Sequence, residues 1–295
     1  MRQEGGSVGN AELVILGSAQ DGGLPHAGCR CGNCRAARAD WTRRRLPASA
    51  GIVAGDRLAI IDTTSAFEEQ YHHLWERSER SQAFEGERYG APEIVVLTHA
   101  HTGHYVGLWQ LDRSVLAARQ SLVLAPPKMH RFLAAQEPWA GMVREGFIVL
   151  EPLPIDEPFD LLPGVRVTAL EVPHRAEWET DTVALVVEGT QASALYLPDI
   201  DRWDEWERDI NDVVASVDSA FLDGCFWAAP TSRNVPHPPV IETMERLQPL
   251  VDAGKHVSFI HLNHSNPLCD PTTDEHRMVL ERGFAVGREG DSVDL

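Results

Sequence analysis

The stretch Ile94-Val-Val-Leu-Thr-His-Ala-His-Thr-Gly-His104 sets an apolar run of buried-strand type directly before three histidines spaced H-x-H-x-x-H. A strand fixes the direction of the chain. A turn at its end therefore points His99 and His101 toward one locus, while His104, at the start of the next helical segment, approaches from another side. Imidazoles converging in this way suit Zn, Mn or Fe at about 2.0–2.2 Å per bond. The plain alternative is a polar turn with three solvated histidines. The apolar strand before the cluster, and the scarcity of histidine in ordinary loops, argue against it.

Three further apolar runs end in a possible ligand: Val167-Thr-Ala-Leu-Glu-Val-Pro-His174, Ala194-Leu-Tyr-Leu-Pro-Asp199 and Val257-Ser-Phe-Ile-His261. Each alone reads more readily as a cap or a satisfied loop residue than as a ligand. An open α/β layer gathers its ligands at strand ends, however, so four such ends in one chain can meet at one site. Strand-length runs recur at Leu13 to Leu16, Gly51 to Ala54, Leu58 to Asp62, Ile94 to Leu97, Leu122 to Leu124 and Phe147 to Val149. A second set lies at Val165 to Leu170, Val183 to Val187, Ala194 to Leu197, Ser219 to Leu222, Val257 to Ile260 and Phe284 to Val286. Helical patterns fall at Glu68 to Arg77, Val106 to Asp112, Lys128 to Ala135, Trp203 to Val217 and Val240 to Gln248. Two successive blocks of strands with helices predict a layered α/β fold. No linker divides it, so residues 1–295 read as one domain. The Pro-rich pieces Glu151 to Pro163 and Val235 to Pro239 read as surface connections that shape an opening.

Lys and Arg total 26 against 44 Asp and Glu, a formal net charge of -18. That balance argues against nucleic acid or an anionic membrane as the main partner and leaves a small-molecule substrate as the expectation. No window approaches the roughly 18 apolar residues of a membrane span, and the first residues lack a secretory pattern, so a cytoplasmic protein is expected. Three of the five cysteines, Cys29, Cys31 and Cys34, form C-x-C-x-x-C. A dense thiol cluster in a chain read as cytoplasmic holds a metal more often than a bridge. A tetrahedral structural zinc needs a fourth ligand beyond these three thiolates. Cys225 and Cys269 read as buried small hydrophobes.

The order of these pieces, Asp62 closing one strand, then the histidine cluster, then His174, Asp199 and His261, resembles the metallo-β-lactamase superfamily. Within it the chain is similar to the PqqB family of pyrroloquinoline quinone biosynthesis through Leu16-Gly-Ser-Ala-Gln-Asp-Gly-Gly-Leu-Pro25, the cysteine cluster, Leu222-Asp-Gly-Cys-Phe-Trp227 and Phe259-Ile-His-Leu-Asn-His-Ser-Asn-Pro267. It also resembles PhnP-type phosphodiesterases in its cysteine cluster and its late H-x-x-H pair. The resemblance implies a four-layered αβ/βα sandwich with a metal site at the edge of two sheets. His99, His101 and His174 would hold one ion, His104 and His261 a second, with Asp199 bridging. His264 would complete a Cys3His structural zinc with Cys29, Cys31 and Cys34. Asp62 would orient a metal-bound histidine, with a structural turn as its alternative. Many relatives carry an aspartate before the last histidine of the cluster. Here that residue is Gly103, which removes one carboxylate from the second site. In the PqqB pattern little of the cluster beyond its last histidine survives, whereas this chain keeps His99 and His101 and so looks like a working metal enzyme.

One or two divalent ions (Zn, Fe or Mn) at such a site imply a metal-dependent hydrolase of a small ester, lactone, amide or phosphodiester, acting through a metal-bound hydroxide, with Asp199 and His237 as catalytic groups. His237 stands where PqqB relatives also show a histidine, which implies a substrate contact or a proton carrier. Two other readings stay open: an iron-dependent oxygenase in cofactor biosynthesis, and a metal-stabilised carrier without turnover. Asp21 and Asp223 read either as cleft residues or as plain turn residues. His26, His72, His73, His130, His256 and His276 read as surface or structural. The segments Ala135 to Arg144, Arg175 to Thr180 and Ala228 to Pro239 read as specificity loops, whose Trp139 and Trp178, with the nearby Trp227, suit either a planar ligand or packing.

Overall fold

The computed structural model describes residues 11–175, 177–229 and 236–295. In chain order the strands are β1 (Ala11–Gly17), β2 (Ser49–Ala54), β3 (Arg57–Ile61), β4 (Ile94–Val96), β5 (Ser121–Ala125), β6 (Ile148–Pro152), β7 (Phe159–Leu162), β8 (Val165–Glu171), β9 (Val183–Glu188), β10 (Ser193–Leu197), β11 (Ser219–Asp223), β12 (His256–Ile260), β13 (Ala285–Val286) and β14 (Ser292–Asp294). They form two seven-stranded sheets, ordered β14-β1-β2-β3-β4-β5-β6 and β13-β12-β11-β10-β9-β8-β7. The two sequence blocks are thus two sheets, and only β14 returns to the first, pairing antiparallel with β1.

Alternation along the strands builds the layers. In β1, Leu13 and Ile15 enter the core between the sheets, while Val14 and Leu16 face the helices outside. In β10, Ala194 and Tyr196 point inward, and Leu195 and Leu197 point to the helices on the other side. Successive side chains of a strand face opposite ways. Both faces here are apolar because each sheet is covered on both sides, as parallel strands require. Three apolar cores therefore separate four layers, the αβ/βα metallo-β-lactamase sandwich.

All twelve expected strands form, with ends displaced by up to three residues. The sequence misses β7, hidden in the Pro-rich stretch, and the charged β14. The expected helix from Trp203 to Val217 is two pieces, a 3-10 turn Trp203–Glu205 and a helix Ile210–Ala215. Asp209 separates them by accepting the Asn211 N–H, a local bond that starts a new helix in place of continuing one. The loop expected at Ala135 to Arg144 contains a helix, Trp139–Arg144, that buries Trp139 and Met142. Part of the expected loop at Ala228 to Pro239, and residue 176 of the one at Arg175 to Thr180, lie outside the described residues. Among the described residues no helix is long and apolar enough to cross a membrane.

Strands β3 to β6 are parallel, as are β10 to β13. Two antiparallel pairings, β8 with β9 and β9 with β10, make β8 run with β10. The C-terminal ends of β3, β4, β8, β10, β11 and β12 consequently share one edge. The sheets are joined there by the Val183 N–H, which donates to the Thr98 carbonyl at 3.0 Å.

Candidate metal centre

The residues after β4 are held from the end of β3. Asp62, buried and with a φ of 61°, accepts the Thr98 N–H and the Thr98 hydroxyl, each at 2.8 Å. The hydroxyl proton is thereby committed, so Thr98 Oγ1 accepts from His99 Nδ1–H at 2.9 Å. Asp62 Oδ2 also accepts His104 Nδ1–H, at 2.8 Å. Across the site Asp201 accepts His174 Nδ1–H at 2.7 Å. Each of these rings has its Nδ1 proton fixed by an acceptor, so that in the neutral ring Nε2 is the lone pair aimed at the centre. Outer partners of this kind orient metal-ligating histidines.

The Nε2 atoms converge on Asp199, two residues past β10. Its carboxylate lies 3.1 Å from His261 Nε2, 3.2 Å from His104 Nε2, 3.5 Å from His99 Nε2 and 3.6 Å from His174 Nε2. His101 completes the first group through Nδ1, 3.2 Å from His174 Nε2. His99, His101, His174 and Asp199 each offer a ligand atom within 4.8 Å of one another, and so do Asp21, His104 and His261. Asp199 is 1 % exposed, yet neither of its oxygens makes a hydrogen bond, and His99 Nε2 is equally without one. Leaving buried polar atoms unpaired is costly. A cation between them removes that cost, so the residues fit a divalent metal.

The field of the site agrees. Burial pushes the His99 imidazolium well down and His101 to about 4, so both rings are neutral ligands at pH 7. His104 goes the other way: burial opposes its charge, but Asp62, Asp199 and Asp21 outweigh it. Asp199 is held well below the usual carboxylate range despite burial, by His261 and His174 foremost. The pocket around His104 therefore favours positive charge.

His237 also reaches the site. It is buried, has a φ of 116°, donates Nδ1–H to Asp223 Oδ2 at 2.6 Å and lies 3.7 Å from Asp199. Asp223 overcomes burial and pushes its pKa up to about 9. Strained backbone at His237, Asp62 and His261 (φ of 56°) clusters here, as it does at functional sites.

The cysteine cluster forms a second group. Cys29, Cys31, Cys34 and His264 lie within ligand distance of one another, with His264 Nδ1 3.4 Å from Cys29 Sγ and 3.6 Å from Cys31 Sγ. The Cys31 N–H donates to Cys29 Sγ, and the His26 N–H to Cys34 Sγ, both at 3.3 Å. Cys31 is the N-cap of the helix Gly32–Ala39, and Asn33 clamps that helix to the carbonyls of His264 and Asn266. His26 is adjacent, its ring 4.5 Å from that of His264. Cys225 and Cys269 are buried as expected.

Sequence reasoning missed Asp201, whose only signal is its place two residues after Asp199. It also read Gly103 as a gap in the second group. In the structure Asp21 occupies the space above Gly103, with Oδ1 3.3 Å from His104 Nε2. Among the tryptophans, Trp139 is buried, whereas Trp178 is exposed and stacks on Phe132 beside the site.

A family model described as Beta-lactamase superfamily domain matches residues 60–262, more than half of the chain. The chain belongs to the beta-lactamase superfamily. That span takes in Asp62 through His261 and leaves out Asp21, the cysteines and His264. Among superfamily relatives, the chain is 27% identical to the Coenzyme PQQ synthesis protein B of Methylobacterium radiotolerans, covering 96% of this chain and 99% of that one. It is 25% identical to the protein of the same name from Methylorubrum extorquens, at the same coverage. In fold it is similar to Zn(2+)-bound PqqB from Methylobacterium extorquens, with a TM-score of 0.78 at 22% identity over 96% of this chain and 100% of the other. A diphosphatase from the PhnP family superposes with a TM-score of 0.69 at 22% identity, covering 96% of each chain.

Proposed function

We propose that this superfamily member is a metal-dependent hydrolase of a small ester, lactone, amide or phosphodiester. The observation that carries the proposal is Asp199, a buried carboxylate without a hydrogen bond that faces five imidazole nitrogens within 3.7 Å. His99, His101 and His174 would hold one ion, His104 and His261 the other, with Asp199 between them. A divalent ion bound there activates water and polarises a carbonyl or phosphoryl oxygen. The protein's own groups do the rest. Asp62, Thr98 and Asp201 keep the imidazoles in their ligating tautomers. Asp223 keeps His237 protonated at neutral pH, which suits it to supply a proton to the leaving group. The likeness to a PhnP-family diphosphatase supports chemistry at a phosphoryl group, and the Zn-bound PqqB supports zinc. Cys29, Cys31, Cys34 and His264 are a structural zinc site in this reading.

Similarity to coenzyme PQQ synthesis proteins over nearly the whole chain favours a second reading, an iron-dependent oxygenase in cofactor synthesis, because histidines with a carboxylate and open positions also hold Fe(II). Elemental analysis of protein purified without added metal, with the His101→Ala and Cys31→Ser variants alongside, tests the pair. The expected result is two or three zinc ions per chain, partly lost in each variant, with turnover of phosphodiester or lactone substrates that persists without dioxygen. Iron lost only with His101, together with dioxygen consumption, would overturn the hydrolase reading in favour of the oxygenase.

A further inference from the structure

A side chain at position 103 has no room. A Cβ built on Gly103 would lie 2.3 Å from Asp21 Oδ1, 2.5 Å from Asp21 Cβ and 2.7 Å from Asp21 Cα. The last of these is backbone, which cannot swing aside, and the turn that carries it is pinned on both sides. The Gln20 N–H donates to Leu262 O at 3.0 Å, the Gly23 N–H to Gln20 O at 2.7 Å and the Leu24 N–H to Arg45 O at 2.9 Å. The Asn263 side chain holds Gln20 as well, at 2.6 Å. The turn is thus fixed to the segment that follows His261.

What the turn delivers is a carboxylate oxygen. Asp21 Oδ1 is buried and makes no hydrogen bond, although it lies 3.3 Å from His104 Nε2 and within ligand distance of His261. His104 donates its Nδ1 proton to Asp62, so a neutral ring presents a lone pair to Asp21. A carboxylate oxygen and an imidazole nitrogen that face each other at that distance, with His261 also in reach, are an arrangement that a shared cation completes.

We propose that Asp21 is a protein ligand of the second ion, joining His104, His261 and Asp199, and that Gly103 is glycine because Asp21 enters the centre through the space a side chain there would occupy. This rests on the metal-centre reading above. The missing carboxylate of the cluster is thus supplied from a turn some eighty residues earlier in the chain. The second site has as many protein donors as the first, and the chain binds two ions at its active site.

The test is a Co(II) titration of the metal-free full-length protein, followed by the visible absorption of the bound ion and by elemental analysis, on the parent and on Asp21→Asn, Gly103→Ala and their combination. The parent takes up two ions at the histidines beyond the one at the cysteines. Asp21→Asn keeps its shape and loses a charge, so it retains the first ion and the cysteine ion while affinity for the second falls about 100-fold or more. That exceeds the loss of about 10–100-fold expected for an outer hydrogen-bond partner. Gly103→Ala pushes Asp21 away and weakens the same ion, although it removes no ligand group. Because both act through one contact, the combination weakens the ion no further than the stronger single change. Unaltered binding of two ions by Asp21→Asn would overturn this inference alone. Absence of any ion at the histidines of the parent would overturn the metal-centre reading with it.

Discussion

His174 and Asp201 are joined by a 2.7 Å hydrogen bond from Nδ1 to Oδ1, and the same aspartate accepts the Arg175 N–H at 3.3 Å through its other oxygen. Asp201 thereby fixes both the ring and the backbone that presents it, without itself reaching the centre. Replacing it with alanine is expected to lower affinity for the first ion by about 10–100-fold, with the fold retained. Competition against a chromophoric chelator measures this, and an unchanged affinity would show that His174 is oriented by packing alone.

His101 is the most open of the first group, its side chain 15 % exposed where His99 and His174 are closed. His101→Ala should therefore remove about one equivalent of metal with little cost to folding. Turnover should fall by at least about 100-fold, since an ion contributes several kcal/mol to transition-state stabilisation and each 1.36 kcal/mol is tenfold in rate. Parent-like turnover in a variant that has lost the ion would remove the site from the chemistry.

The cysteine cluster should matter to stability first. Cys31→Ser removes the proposed thiolate ligand, while the serine hydroxyl can still cap the helix Gly32–Ala39. Loss of a structural ion removes folding free energy, and at about 2–4 °C per kcal/mol in a domain of this size a few kcal/mol lowers Tm by roughly 5–10 °C. A chelator should produce a similar fall in the parent and almost none in the variant. A variant as stable as the parent would mean that the cluster holds no ion of consequence.

Ion uptake at these cysteines should strengthen with pH. Without an ion, burial pushes the Cys34 thiol up to about 12, so it is protonated at neutral pH, and a ligand thiolate forms only when that proton leaves. Binding is then tighter at pH 8 than at pH 6 and releases protons to the buffer. Calorimetry in buffers of different ionisation enthalpy reads the number released, and a pH-independent affinity would contradict the arrangement.

Much of the fold and of the centre is legible in the sequence, and the exceptions share a cause. Strand ends announce themselves by an apolar run followed by a ligand, and that pattern alone points to His99, His174, Asp199 and His261. Asp201 has no such signal, because its meaning depends on facing His174, which follows another strand. Asp21 sits in a glycine-rich turn that reads as a turn whatever its side chain does. Gly103 is informative only together with it. The separation of Trp203–Glu205 from Ile210–Ala215 follows from one capping bond that periodicity cannot see. β7 is concealed by the prolines around it, whose usual reading is a connection.

His261 and His264 stand on one short segment, the first turned into the histidine centre and the second into the cysteines. Asn33 holds the carbonyl of His264, and Asn263 between them grips Gln20 of the turn that carries Asp21. In the proposed reading, one short segment supplies a ligand to each of the two ion sites. Whatever factor occupancy of the cysteines contributes to affinity at the histidines, occupancy of the histidines must return to the cysteines. A segment shared in this way would make the cluster proposed as structural also a place from which the metal affinity of the histidine centre can be set.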